Sequence, residues 1–163
     1  MIRPASFILL TTCSLICNAD DWPQNAGPNG NWTTTEGAPV SWSVVNDRNV
    51  AWRTVLPEGG QSSVTVWKDR CFLTCHTQLK SSDETKTSTD IEGYCLDATT
   101  GKILWTVSVP GRVAVGTAGI FSDATVFAPV TDGQGVWFFN RSGGIVCCDF
   151  DGKVIWERQF TPR

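Results

Sequence analysis

A phrase of about ten residues occurs twice in this chain and constrains its fold more than any other feature. The first copy, CLDATTGKILW, covers residues 95–105, and the second, CCDFDGKVIW, covers residues 147–156. Each copy has the pattern of a strand, a tight Asp/Gly turn and a second strand that ends at a tryptophan. A weaker copy at residues 50–53, VAWR, precedes them. The intervals from Trp52 to Trp105 and from Trp105 to Trp156 are 53 and 51 residues. A repeat near fifty residues is typical of solenoids and β-propellers, in which one supersecondary unit recurs.

Short apolar runs separated by turn residues continue from residue 50 onwards, without a helical period of useful length. This pattern predicts strands over residues 50–56, 63–67, 71–76, 92–97, 102–109, 124–130, 135–139, 145–149 and 153–160. Four antiparallel strands per fifty residues is the size of one propeller blade. We therefore predict an all-β partial β-propeller within residues 50–163, with two four-stranded antiparallel blades at about residues 61–109 and 112–160.

Two blades are too few for a closed ring, because propellers typically have four to eight. Open blade faces and free strand edges also favour unwanted association. We therefore expect that the chain is either part of a larger ring or a subunit that needs further blades or another protein partner.

The residues before the repeats divide into two parts. Residues 1–19 have the order of a secretory signal peptide, with Arg3 before an apolar stretch at 5–17 and Ala19 before an acidic pair. Export to the periplasm or the extracellular space is expected, although a short buried segment is the alternative. The apolar stretch is too short for a comfortable membrane span. Residues 20–49 are rich in Gly, Pro, Asn, Ser and Thr and predict an irregular leader.

The charge pattern narrows the choice of partners. The net charge is −3, and lysine and arginine form no cluster. A nucleic-acid-binding surface requires a basic stripe, so the sequence argues against nucleic acid as a partner. An anionic membrane surface is an unfavourable partner for the same reason.

The repeated phrase resembles the tryptophan-docking motif of pyrroloquinoline-quinone-like (PQQ-like) β-propeller repeats, Ala-x-Asp-x-x-Thr-Gly-x-x-x-Trp. The first copy matches at Asp97, Thr100, Gly101 and Trp105, and the second, with a shorter turn, at Asp149, Gly152 and Trp156. The glycines suit the turn backbone, and the aspartates can accept hydrogen bonds from turn amides. We expect the tryptophans to pack between adjacent blades, which makes all seven residues structural.

The resemblance implies two different functions. Quinoprotein alcohol and sugar dehydrogenases hold the quinone and a calcium ion at the ring centre, whereas non-enzymatic scaffolds use the ring for protein docking. We predict an exported, non-catalytic scaffold with no catalytic, cofactor-binding or metal-binding residues. The alternative is a fragment of a quinoprotein dehydrogenase, for which PQQ and calcium would be the cofactors.

Cysteines offer two chemical alternatives. The dehydrogenases carry a disulfide between adjacent cysteines, but Cys147 and Cys148 lie in a strand, where they are expected to fill opposite faces. Residues 71–76, CFLTCH, resemble the haem-attachment pattern C-x-x-C-H with one extra residue. Cysteines four residues apart on a strand are about 13 Å apart, which suits two bonds to one porphyrin poorly. Cys71 or Cys75 could instead form a disulfide with Cys95. His76 is the only histidine, and no sequence motif supplies it with the other members of a hydrolytic triad.

Overall fold

The computed structural model describes residues 21–35, 37, 39–77, 89–113 and 123–162. The predicted signal peptide at residues 1–19 lies outside these residues.

The described residues form eight β-strands in two sheets. The strands are β1 (Thr65–Trp67), β2 (Arg70–His76), β3 (Ile91–Asp97), β4 (Ile103–Val109), β5 (Val130–Thr131), β6 (Val136–Asn140), β7 (Gly144–Cys148) and β8 (Val154–Gln159). The first sheet has the order β1-β2-β3-β4 and the second the order β5-β6-β7-β8. Every neighbouring pair is antiparallel, so each sheet is a simple meander.

The fold prediction is confirmed, because the described residues are all-β, contain no helix and form two antiparallel four-stranded sheets consistent with a partial β-propeller. The strand predicted at residues 50–56 is wrong, since no residue of this segment belongs to a strand or a β-bridge. The strand predicted at 124–130 is shortened to Val130–Thr131. Its earlier part contacts the first sheet through side chains and single carbonyl groups instead of pairing within its own sheet.

The two faces of the first sheet pack against different neighbours, because successive side chains of a strand point in opposite directions. One face, called the inner face, joins the second sheet in one core that includes Phe72, Cys95, Val109, Phe138 and Val146. The other face carries Cys71, Cys75, Tyr94 and Leu96 and is covered in part by Trp52 and Leu56.

Strand register creates matching rows of residues across the two sheets. In the first sheet the row is Thr65, Phe72, Cys95 and Trp105, and in the second it is Val130, Trp137, Cys147 and Trp156. A register shift follows the third residue of each row, at Cys95/Leu96 and at Cys147/Cys148. The two sheets are therefore built alike down to the position of the bulge, and residues in the same place of each row can be compared directly.

Asn140 links the end of the first sheet to the second. Its side-chain amide donates hydrogen bonds of 2.8 Å to the carbonyl groups of Thr89 and Val109, and its Oδ1 accepts one from the backbone N–H of Ser142. Asn140 is fully buried, so these bonds satisfy a polar group that water cannot reach.

Within the described residues, no helix has the length and apolar character that crossing a membrane would require.

Candidate docking site

Trp105 joins the two sheets by lying on the β7–β8 turn. Its indole Nε1–H donates a hydrogen bond of 3.0 Å to the carbonyl of Phe150. A Cβ atom added to Gly152 would be 2.7 Å from the indole ring, a separation that real side chains do not tolerate. The ring also contacts Phe72 and Phe138 edge-on or tilted, at centroid distances of 6.0 Å. Trp105 therefore packs between the sheets, with glycine required beneath it.

Trp52 makes the same contact with the β3–β4 turn. Its Nε1–H donates a hydrogen bond of 2.7 Å to the carbonyl of Ala98, which follows Asp97 as Phe150 follows Asp149. The ring lies against Gly101, and Thr54 donates a hydrogen bond to the carbonyl of the same glycine at 2.5 Å. Residues 51–56 thus dock on the first sheet as β4 docks on the second, although they belong to no sheet.

The two turns owe their shape to an aspartate and a glycine. Asp97 Oδ1 accepts hydrogen bonds from the backbone N–H groups of Thr100 and Thr99 and from the Thr100 hydroxyl. These bonds, those from Thr100 above all, lower the pKa of Asp97. Asp149 Oδ1 accepts two backbone hydrogen bonds in the same way, from Asp151 and Lys153.

Gly101 and Gly152 have positive φ angles of 72° and 86°. Residues with a Cβ avoid this left-handed region. The backbone conformation and the tryptophan above therefore require glycine at both positions independently.

Trp156 occupies the third position of this kind, but no turn of the described residues lies beneath it. It pairs with Cys147 as Trp105 pairs with Cys95. Its side chain is 37% exposed, and no described residue accepts a hydrogen bond from its indole. All six residues of β8 are exposed, in contrast to the partly buried β4. The structure thus places Trp52 and Trp105 in docked contacts, whereas Trp156 has no such contact with any residue that the structure describes.

Trp156 belongs to a sheet face on which no other sheet of the described residues packs. We call this surface the outer face, and it comprises Trp137, Phe139, Ile145, Cys147 and Trp156. Its side chains are mostly apolar and, Cys147 apart, partly or fully exposed. An apolar face that is rich in aromatic residues and lacks a packing partner is typical of an interaction surface.

An apolar cavity of about 340 Å³ opens at one end of the outer face, next to Phe139. Three polar residues, Gln24, Asn25 and Asn140, line part of it. The rest of its lining is formed by six apolar residues: Val126, Phe127, Ala128, Val130, Phe139 and Phe160. The cavity is therefore continuous with the surface that carries Trp156, and leader residues help to form it.

The five cysteines of the described region are buried, unpaired thiols: Cys71, Cys75, Cys95, Cys147 and Cys148. Cys71 and Cys75 lie on the opposite face of the first sheet from Cys95, which prevents both of the pairings considered from the sequence. Cys147 and Cys148 likewise point to opposite faces and form no disulfide. Burial raises the pKa of Cys75 and Cys148 to about 11 and that of Cys95 to about 12, so these thiols are protonated at neutral pH.

His76 forms a pair with Asp123 between the two sheets. Nε2 of His76 lies 3.0 Å from Oδ2 of Asp123, while Oδ1 accepts hydrogen bonds from the backbone N–H and the hydroxyl of Thr125. Burial acts to raise the pKa of Asp123, but the bonds from Thr125 and the contact with His76 outweigh it and lower this pKa. The sequence predicted no partner for His76, because 47 residues separate the two side chains and no motif connects them.

No group of three or more His, Cys, Asp or Glu side chains in the described part of the chain is arranged to hold a metal ion.

Sequence reasoning also missed two contacts between the sheets. The ring of Phe138 lies on Gly93, where a Cβ would be 2.7 Å away, and the ring of Trp67 lies on Gly133. Each glycine is an isolated one in or beside a strand, which is a known sign of close approach by another group. The two glycines therefore indicated close contacts, but the sequence could not identify the aromatic residues that make them.

No protein-family model matches this chain, and no curated protein sequence matches it. The crystal structure of BamB from Moraxella catarrhalis is similar to this structure, with 13% sequence identity and a TM-score of 0.31. The match covers 71% of this chain and 45% of the BamB chain, so this chain spans less than half the length of that protein. The two four-stranded sheets themselves define the fold.

Proposed function

We propose that this chain is a non-catalytic module of the PQQ-like propeller type that binds a β-sheet of a protein partner on its outer face. The observation that carries the proposal is the repeated tryptophan contact. Trp52 and Trp105 each donate to the carbonyl that follows a turn aspartate and each cover a turn glycine. Trp156 has the same place in its sheet, and within the described part of the chain it covers no such turn. The partner therefore supplies an Asp/Gly turn to Trp156.

The chemistry of the outer face supports protein binding. Aromatic residues dominate the central, energetically important parts of protein interfaces. Trp137 and Phe139 stand on β6 and Trp156 on β8, and Ile145 and Cys147 of β7 lie between them, which gives an apolar surface across three strands. A buried indole needs an acceptor for its N–H, and a turn carbonyl is what both docked tryptophans use.

The other parts of the proposal come from the sequence. The match of residues 97–105 and 149–156 to the tryptophan-docking motif supports membership of the PQQ-like repeat type. The order of charged, apolar and small residues within 1–19 supports export to the periplasm or the extracellular space. We further propose that binding needs no quinone, calcium or other cofactor.

The test uses a cyclised peptide with the sequence of residues 144–159, which contains the turn that Trp105 covers. Cyclisation is necessary because an isolated hairpin is only marginally stable. Titration of the full chain is followed through the indole N–H signals in ¹H–¹⁵N spectra. We expect saturable binding that shifts the Trp156 signal and is lost in Trp156→Ala.

Two matched controls make this test specific. Trp42→Ala, a change at a leader tryptophan that is 66% exposed, should leave binding intact. A peptide in which alanine replaces the turn glycine should not bind, because its Cβ would meet the indole ring. Equal binding by both peptides, or binding that survives Trp156→Ala, would refute docking through the tryptophan.

A further inference from the structure

We infer that the partner inserts a bulky apolar side chain into the cavity beside Phe139, and that its sequence there differs from that of this chain's own second sheet. The inference depends on the proposed docking of a sheet on the outer face and specifies which sheet fits. It follows from comparing the outer face with the inner face of the first sheet, position by position.

The inner face holds its neighbour partly through threonine hydroxyls. Thr65 donates a hydrogen bond of 2.5 Å to the carbonyl of Pro129, and Thr74 donates one of 3.2 Å to the carbonyl of Thr125. Both threonines are buried, and both accepting carbonyls belong to the segment that leads into β5. The inner face is therefore built to receive a polypeptide backbone at this end.

The outer face has no such donors at the matching positions. Val130 pairs with Trp137 as Thr65 pairs with Phe72, and Phe139 lies two residues beyond Trp137 as Thr74 lies two beyond Phe72. The side chains of Val130 and Phe139, which match Thr65 and Thr74, cannot donate a hydrogen bond. A carbonyl placed against them would be buried without a partner, which is more costly than the bond itself is favourable.

A second position excludes a copy of the second sheet on steric grounds. On the inner face Gly93 leaves room for the ring of Phe138. Gly93 pairs with Thr74, and the residue that pairs with Phe139 is Ile145. An isoleucine side chain fills the place that the aromatic ring would need, so a partner identical to the second sheet would collide here.

The cavity beside Phe139 offers a contact that can replace the backbone hydrogen bonds made on the inner face. An apolar cavity of roughly 150 Å³ already accommodates benzene, and this one is about 340 Å³. Phe127 and Phe160 line it and are 50% and 44% exposed. A phenylalanine or leucine of the partner would cover both rings and fill the space, in place of the backbone contact made on the inner face.

A second copy of this chain is not the occupant that the structure favours. The turn that a copy would offer to Trp156 is the one at residues 97–101, on its first sheet. Trp52 already covers that turn. A copy would have to displace its own residues 51–56 before it could dock.

The test compares two blocked peptides, Ac-Gly-Phe-Gly-NH₂ and Ac-Gly-Ala-Gly-NH₂, as probes of the full chain. Binding is followed through the methyl signals of Val126, Ala128 and Val130. We expect the Phe peptide to shift these signals, and the Ala peptide to bind about tenfold more weakly or less, because it buries much less apolar surface. Equal affinities, or shifts that lie elsewhere, would overturn the inference.

Variants then locate the contact. Ala128→Trp should abolish binding of the Phe peptide by filling the cavity. If that variant does not fold, Phe127→Ala decides, since removal of an exposed ring should weaken binding several-fold. Val45→Ala, at an exposed leader position, is the matched control and should have no effect. Unchanged affinity in Phe127→Ala would contradict the cavity as the binding position.

The two proposals fail in different ways. Trp156→Ala should lose the cyclised hairpin and keep the Phe peptide, whereas Ala128→Trp should lose the Phe peptide and keep the hairpin. Loss of hairpin binding alone would refute docking through Trp156. Absence of Phe-peptide binding beside normal hairpin binding would refute the cavity contact and leave the docking intact.

Discussion

The indole ring of Trp105 lies so close to Gly152 that a single methyl group on this glycine would come within 2.7 Å of it. The two residues belong to different sheets and are joined further by the hydrogen bond from Trp105 to the carbonyl of Phe150. Trp52 makes the same contact with Gly101, whereas Trp156 makes no such contact with a turn glycine of the described residues.

Replacing Gly152 by alanine should destabilise the protein by about 3 kcal/mol. A left-handed backbone costs a residue with a Cβ about 1–2 kcal/mol, and overpacking adds a similar amount. Urea unfolding followed by circular dichroism measures the change. Gly59→Ala is the control, because a Cβ there would meet no atom within 4 Å, and it should stay within about 0.5 kcal/mol. Equal effects of the two substitutions would show that Trp105 does not lie on Gly152.

Trp105→Ala and Trp156→Ala should differ strongly in their effect on stability. Loss of a large buried aromatic side chain costs about 3–5 kcal/mol, and Trp105 packs against the core shared by both sheets. Trp156 is 37% exposed and covers no turn, so its removal should cost about 1 kcal/mol or less. The free energies of unfolding of both variants test this, and equal losses would mean that Trp156 already has a docking partner within the chain.

The pair formed by Asp123 and His76 should make stability depend on pH in the acid range. The folded state lowers the pKa of Asp123 below 3.8. The stabilisation is therefore complete above about pH 4 and is lost as the pH falls through the folded pKa. Asp123→Asn should cost about 1 kcal/mol at pH 7 through its weakened hydrogen bonds, and should reduce the acid dependence.

Thermal unfolding of wild type and Asp123→Asn between pH 2 and 7 measures this dependence. Asp97 and Asp132 also have lowered pKa values in the folded state, so part of the acid sensitivity should remain in the variant. Asp47→Asn serves as the control, since its ion pair with Arg53 is more than half exposed and should contribute little. An unchanged pH profile in Asp123→Asn would count against the pair.

The thiols of the described residues should stay unreactive until the protein unfolds. All five are buried, and burial raises the pKa of each. Iodoacetamide at pH 7.5 should therefore label Cys71, Cys75, Cys95, Cys147 and Cys148 only in urea, as read by peptide mass spectrometry. Rapid labelling of the native protein, or a mass loss that indicates a disulfide, would contradict the free-thiol arrangement.

A quinone assay tests the non-catalytic proposal. We expect that PQQ and calcium, added to the full chain with an alcohol or a sugar as reductant, give no reduction of the quinone by absorbance. Substrate-dependent reduction that exceeds the rate without protein would favour the dehydrogenase alternative over the scaffold.

The strand meander could be predicted from the order of apolar runs and turn residues. The repeated Asp/Gly turns set the hairpins, and seven of the eight strands lie within a residue or two of their expected positions at both ends. The prediction failed at residues 50–56 and 124–130, because a strand exists only where a neighbour accepts its hydrogen bonds, and local pattern does not show neighbours. The same limit hid the pair of His76 and Asp123.

Which of the repeated tryptophans is docked depends on the packing of the two sheets in three dimensions. Trp52, Trp105 and Trp156 recur in the sequence at intervals of 53 and 51 residues, and nothing in this spacing sets Trp156 apart from the other two. Two of them cover a glycine turn, and the third stands on an open face beside an apolar cavity. Burial is a property of what packs against a residue, and only the three-dimensional arrangement brings those groups together.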